Sequence, residues 1–300
     1  MEKLVLVTTS NGLYKIDVEK NSSTRVFNRK KGLWVFKRGG MGYFGVAFWK
    51  NQNKILLASR ERLGTPKAGK PSTDTIIYAI DPKTFEGEAL LEIHDVHDVH
   101  QVACEGDSLY VTDTGKNRIF VMDLKSKTTE KTILFGDERG DVNHINAVTI
   151  HKNKIYVGLN NRGTEPAQIA TLSLSEIQSM DKKEILVSPE NAEVQTLADL
   201  THTHDVLPFK ESLIVCASHD GKDYDVQQGK TVIEGDEWVR GIAENPEGFW
   251  VGVSTYAERS KRHREDIDGK VRLYNPENWQ LLKTVDLVGA GQVNDVLIVS

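Results

Sequence analysis

Three hundred residues with 39% hydrophobic and 27% charged content can bury a large core in one β domain. A net charge of −5 and a pI near 6.0 set up no field that would draw in nucleic acid, so no nucleic-acid partner is expected. No run approaches roughly 18 consecutive apolar residues, the N-terminal apolar run is too short and β-branched for a signal sequence, and two cysteines make no disulfide framework, so no membrane partner and a cytoplasmic location are expected.

KLVLVTTS, GLYKIDV and TRVFN at the N-terminus read as three successive strands. GGMG near Gly39 precedes a β run and not a helix, so it is a turn without a phosphate-cradling role. YFGVAFWKNQNKILLAS, from Tyr43, places two β runs around a polar turn; IIYAIDP from Ile76 and ALLEI from Ala89 add a third and a fourth. The most sharply punctuated stretch comes next. VHQVA, SLYVTD and RIFVMDL are separated by Glu105-Gly106-Asp107 and by Thr114 to Asn117, and KTILF from Lys131 follows. HINAVTIHKNKIYVGLN restarts the phrase at His144, SLSEIQSMDKK supplies a helical turn, and VQTLADL from Val194 ends it. THTHDVLPFKESLIVCAS begins at Thr201 and WVRGIAENPEGFWVGVS at Trp238. Only 36 residues separate His204 from Arg240, so the outer strands between them must be short or irregular. VRLYNPE and LLKTVDL follow, and GQVNDVLIVS closes the sequence.

Aligned on the first β run, these phrases put Gly45, His100, Asn146, His204, Arg240 and Asn294 in one column. Ten residues after the first five stand Ile55, Tyr110, Tyr156, Ile214 and Trp250, all bulky and β-favouring. Four strands per unit, recurring about every 50 residues, is the signature of a propeller. The fold expected is an all-β, six-bladed β-propeller over residues 1–300 as a single domain. One blade joins the C-terminal strand to the three N-terminal ones and closes the ring.

In such a ring the loops before the first strands and the ends of the second strands share a face and converge on the axis, where a ligand site belongs. Seven of the nine histidines fall on this face: His94, His97, His100, His144, His202, His204 and His219. Folding alone does not call for imidazole there. Neutral imidazoles from different blades suit zinc, manganese or iron, with His100, His204 and His219 as the expected ligands. Asp98, Asp205 or Asp113 would orient the rings. In HDVHDVH the strand period separates His94, His97 and His100, whereas His202 and His204 share a face. The alternative is a hydrated, hydrogen-bonded plug that locks the blades in register. Loops of roughly 60–75, 160–167, 219–230 and 255–269, long for hairpin links, are expected to wall the site. They carry Arg60, Arg62, Lys67, Lys70, Arg162, Arg259, Lys261, Arg262, His263 and Arg264, a rim suited to an anion.

HQV…SLYVTDTGKNRIFVMD resembles the NHL-type and related six-bladed propellers, in which a strand ending in TD is followed by a turn and NRI. Two enzyme groups of this architecture bear on the site. Similarity to peptidyl-hydroxyglycine amidating lyase implies zinc on inner-strand histidines, a role His100 and His204 fit. Similarity to the gluconolactonase and paraoxonase group implies calcium near Asn146, Asn294 and Asp295, although Gly45 stands where an acidic ligand would help.

The reading that follows is a metal-dependent hydrolase or lyase acting on a small polar or anionic substrate at the axial mouth. Arg240, Tyr256, His144 and Asp205 are the expected catalytic groups, and Arg60, Asn146, Asn160, Arg162 and Asn294 the expected substrate contacts. An enzyme using His and Asp without metal, and a non-catalytic propeller binding a glycan, peptide or protein, are the alternatives.

Overall fold

The computed structural model describes residues 3–28, 42–61, 74–94, 96, 98–136, 141–258, 261–262 and 264–299. His97, Arg62, Lys67, Lys70, Arg259, His263 and most of the GGMG turn lie outside the described residues.

Six sheets, each with four antiparallel strands, stand around one axis as a six-bladed propeller. The first blade runs Gly42–Trp49, Lys54–Glu61, Asp74–Ile80 and Gly87–Ile93 from the axis outward. The second runs Val102–Glu105, Ser108–Asp113, Arg118–Asp123 and Thr128–Leu134. The third is built from Ile145–His151, Lys154–Leu159, Ala167–Ser173 and Ala192–Leu197, and the fourth from Thr203–Phe209, Ser212–Ala217, Lys222–Asp225 and Lys230–Glu234. Trp238–Asn245, Gly248–Ser254, Gly269–Tyr274 and Leu281–Leu287 make the fifth. In the sixth, Val293–Val299 pairs with Leu4–Thr9, which pairs with Gly12–Asp17 and then Ser22–Phe27. The two ends of the sequence thus share a blade, as the strand phrases predict.

Alternation along each strand sends apolar side chains to both faces of a blade, because each face meets a neighbour. Six apolar clusters result, one in each interblade space. Trp250, on the fifth blade, is fully buried against the sixth. Leu174–Ser179 forms the expected helical turn, its N-terminus capped by the Ser173 hydroxyl accepting from Glu176 N–H.

Two departures from the sequence reading have physical causes. Residues 219–230 are not a long loop: Lys222–Asp225 is the third strand of the fourth blade. Its inward residues are Asp223 and Asp225, both buried, so a polar strand reads as a turn. Beyond the helical turn, Glu184–Leu186 adds a fifth strand, parallel to Thr128–Leu134 of the second blade, burying Ile185 there.

Candidate functional site

The inner strands do not stay in simple alternation at the mouth. The register slips between Tyr43 and Val46, Ile145 and Ala147, Thr203 and Asp205, and Val239 and Ile242, and it slips again at Asn294. These β-bulges fall on the sequence column, and a bulge re-aims the side chains on either side of it. In the second blade the strand begins only at Val102, and Thr112 Oγ1 holds the preceding turn by accepting from His100 N–H (3.1 Å) and Gln101 N–H (3.0 Å). Two residues ahead of the column, Asp98, His144 and His202 are left-handed (φ 80, 47 and 55), which turns their side chains to the mouth as well.

The result is an axial cavity of about 270 Å³. It brings together His100, His144, His204, Arg60, Arg240, Asn160, Arg162 and Asn294 from the expected set. Ser10, Phe44, Asp98, His202, Trp238, Arg262 and Gln292 complete the lining. Trp238 and Gln292 stand two residues ahead of the column, so the same register would have found them. Ser10 follows the second strand of the shared blade, also a readable position. Phe44 carries no signal beyond that of a core residue.

Four other expected residues lie elsewhere. Asn146 sits on the narrow floor with Gln101 and donates to Thr203 O (3.2 Å). His219 stacks on His202 (5.0 Å, 30°) outside the lining, and Tyr256, 58% exposed, meets the Trp238 ring edge-on at 5.0 Å. Asp205 lies below the floor: its oxygens accept from Gln101 Nε2 (2.9 Å), Val206 N–H (2.8 Å) and Ile242 N–H (2.9 Å). That binding is structural, and it removes Asp205 from the reacting groups. Asp113 likewise is held by Arg118 Nε at 2.8 Å.

Each imidazole has a defined role in hydrogen bonding. His204 Nε2 faces Arg240 Nη2 at 2.8 Å, and a guanidinium only donates, so Nε2 accepts and Nδ1–H donates to His202 O (2.9 Å). His100 Nδ1 lies 3.0 Å from Asp98 O and 2.9 Å from Thr114 Oγ1, whose hydroxyl donates to Ile145 O. Nδ1 therefore carries the proton, and Nε2 holds the ring's lone pair. Burial pushes both rings far below the ordinary histidine range; His144 and Arg60 add to this at His100, and Arg240 at His204. Both are neutral at pH 7. Burial, then the neighbouring His219, also lowers His202. His144 Nδ1 lies 2.8 and 2.9 Å from the two oxygens of Asp141, an arrangement that leaves Nε2 as its acceptor.

Guanidinium groups dominate the electrostatics. Among the described residues four line the cavity, against one carboxylate, Asp98, which is ion-paired to Arg60. Such a surface takes an anion.

These residues do not fit the expected transition metal. Both nitrogens of His204 are engaged, one by a cation, and His219 is stacked away on His202. Among the described residues no group of three or more His, Cys, Asp or Glu is arranged to hold a metal ion. The calcium arrangement fits no better, because Asp295 accepts from Val46 N–H (3.0 Å) and Val296 N–H (2.8 Å) beneath the floor.

No protein-family model matches the chain, and no curated protein matches it. Solved structures do. A chain in a nidogen/laminin complex superposes with a TM-score of 0.66 at 11% identity, over 99% of this chain and 98% of that one. The periplasmic gluconolactonase of Pseudomonas aeruginosa gives 0.59 at 11%, over 99% of each chain. A protein of unknown function from Bacteroides caccae gives 0.62 at 11%, over 99% and 98%. The protein is therefore a six-bladed β-propeller whose structural neighbours include laminin-type and gluconolactonase-like propellers. At these identities the likeness is one of fold. No helix among the described residues is long and apolar enough to cross a membrane.

Proposed function

We propose that this propeller is a hydrolase for a small anionic substrate, an ester or lactone carrying a carboxylate or phosphate, bound at the axial mouth. One observation carries the reading: among the described residues four guanidinium groups line a cavity together with His144, whose Nδ1 is held by Asp141. The gluconolactonase among the structural neighbours supports the reaction class.

The chemistry needs only groups in place. Asp141 accepts a hydrogen bond from His144 Nδ1–H and fixes the ring so that Nε2 takes a proton from water. The water oxygen bonds to the substrate carbonyl carbon, and the pair of electrons displaced onto the carbonyl oxygen is stabilised by the guanidinium groups. Collapse breaks the bond to the alcohol oxygen, which receives the proton from His144 Nε2. Water and ester are consumed; acid and alcohol leave. His100 and His204, neutral beside cations, hold neighbouring groups in place and are poor proton acceptors at neutral pH.

The test is turnover of a panel of small lactones and esters by protein purified without chelator or added metal. His144→Ala should lower kcat by about 100-fold or more with KM little changed, and dialysis against chelator should leave turnover intact. Stoichiometric zinc, manganese or iron, lost together with activity in the chelated protein, would overturn the metal-free mechanism. The nidogen/laminin likeness favours a second reading, a non-catalytic binding propeller. It predicts no turnover across the panel and no effect of His144→Ala on the binding partner.

A further inference from the structure

We infer that the anionic group of the ligand is held by one arginine pair of the fifth blade, Arg240 and Arg262, mounted on the Trp238 indole, and that this subsite takes a two-oxygen oxyanion face, a carboxylate or a phosphate. The inference deepens the proposed function and rests on its reading of the cavity as an anion site.

The four cavity arginines are not equivalent. Arg60 is 4% exposed, ion-paired with Asp98, donates to Val99 O (2.9 Å) and lies 4.1 Å from the Phe44 ring centroid. It serves to fasten the second blade's entering turn to the first blade. Arg162 projects to solvent beside Asp141, with Nη1 4.0 Å from Oδ2. Arg240 and Arg262 instead converge. Their guanidinium carbons lie 5.1 and 4.8 Å from the centroid of the same Trp238 ring. The His204 ring accepts from Arg240 Nη2 (2.8 Å), and Ala257 O accepts from Arg262 Nε (3.2 Å). Both charges lower the basicity of His204, so both fields reach the same corner of the cavity.

Two guanidinium groups carried on one indole ring at the cavity wall can share one oxyanion, whose oxygens match the planar fork of each. Trp238 is itself braced, edge-on to Tyr256 at 5.0 Å and tilted against His219 at 6.1 Å. Tyr256 and His219 thus act at one remove, as supports of the platform. Trp238 is a positioning residue. With the anion at the fifth blade, the rest of a small substrate extends toward His144 on the third.

Calorimetric binding of inorganic phosphate, sulfate and glycolate at low ionic strength tests this directly. Arg262→Gln should weaken the best of these probes about tenfold or more. Trp238→Leu should do the same, Trp238→Phe should retain affinity by keeping an aromatic face, and Lys210→Gln, an exposed control paired with Glu277, should bind as wild type. Phosphate against glycolate separates the two oxyanion classes. Unchanged binding in Arg262→Gln, equal losses in the Phe and Leu variants, or no binding of any probe to the wild type would overturn the subsite. The two readings fail separately. Loss of phosphate binding in Arg262→Gln without turnover of any ester keeps the subsite and removes the hydrolase. His144-dependent turnover with an unchanged KM in Arg262→Gln does the reverse.

Discussion

Asp223 sits on the third strand of the fourth blade, fully buried, across the strand pair from Cys216. Burial pushes its carboxyl up to about 7, against a smaller opposing pull from the Cys216 thiol. Beneath the cavity Asp205 is raised to about 6, chiefly by burial, and Asp295 is raised well above the ordinary range by burial and then by the charge of Asp205. A raised carboxyl keeps its proton in the folded chain at pH values where the unfolded chain has lost it. Stability from such a group is therefore fully present below about pH 4 and is lost as pH rises through the folded value. Wild-type protein should lose stability to urea between pH 5 and pH 8, and Asp223→Asn should reduce that loss by roughly 2–3 kcal/mol. An unchanged slope in the variant would mean that Asp223 is ionised in the folded protein. At this scale the sequence shows which residue types gather at the axis but not their partners. His204 stands in the right column, yet nothing in THTHDV announces that Arg240, 36 residues on, donates to its Nε2. A metal ligand and a hydrogen-bonded spacer look the same until that contact is known.

The inner strand with its bulge is the element that makes the site. Its column was legible because a propeller repeats the same register six times, so Asn146, His204 and Arg240 align without reference to structure. The bulge was not legible, because one displaced residue leaves the apolar runs on both sides intact. That is why the column alone places Asp205 and Asp295, one residue past it, at the mouth, whereas they point below it. Close packing at the same level explains the small residues beside them. A Cβ on Gly45 would come within 2.4 Å of Val102 N, and one on Gly241 (φ 78) within 2.6 Å of Val296 N. Each glycine lets its strand lie against the backbone of the next blade. Gly45→Ala should destabilise the protein by about 1–3 kcal/mol in chemical denaturation, and Gly241→Ala by more, since it adds left-handed strain to the same overlap. Equal stability of Gly45→Ala and wild type would show that the neighbouring turn at Gln101 yields without cost.

Across the whole ring, the axial hydrogen bonds join blades in pairs. Gln101 Oε1 accepts from Val148 N–H (2.8 Å), Asp205 from Ile242 N–H, and Asp295 from Val46 N–H. Each bond runs from one blade to the next, and the three acceptors stand on alternate blades. Gln101 Nε2 reaches Asp205 at 2.9 Å and Asp295 at 3.5 Å, so one amide bridges the two buried carboxyls at the centre. This network lies one layer below the cavity and is built from Gln101, Asp205 and Asp295, not from the column residues themselves. Its last member belongs to the strand Val293–Val299, which also supplies Asn294 to the mouth and Val293 and Val296 to the apolar cluster between the fifth and sixth blades. Removing residues 291–300 therefore exposes the sheet edge of Leu4–Thr9, opens two interblade clusters and leaves Val46 N–H without its acceptor. The shortened chain should show no cooperative thermal transition, and a synthetic peptide of residues 291–300, added in excess, should restore one whose midpoint rises with peptide concentration. Gln101 then has its second carboxyl again, which makes the same peptide with Asp295→Ala the discriminating partner. It can refill the sheet edge but not the axis. Weaker rescue by that peptide would assign ring closure to the axial network as well as to the shared blade, and equal rescue would assign it to strand pairing alone.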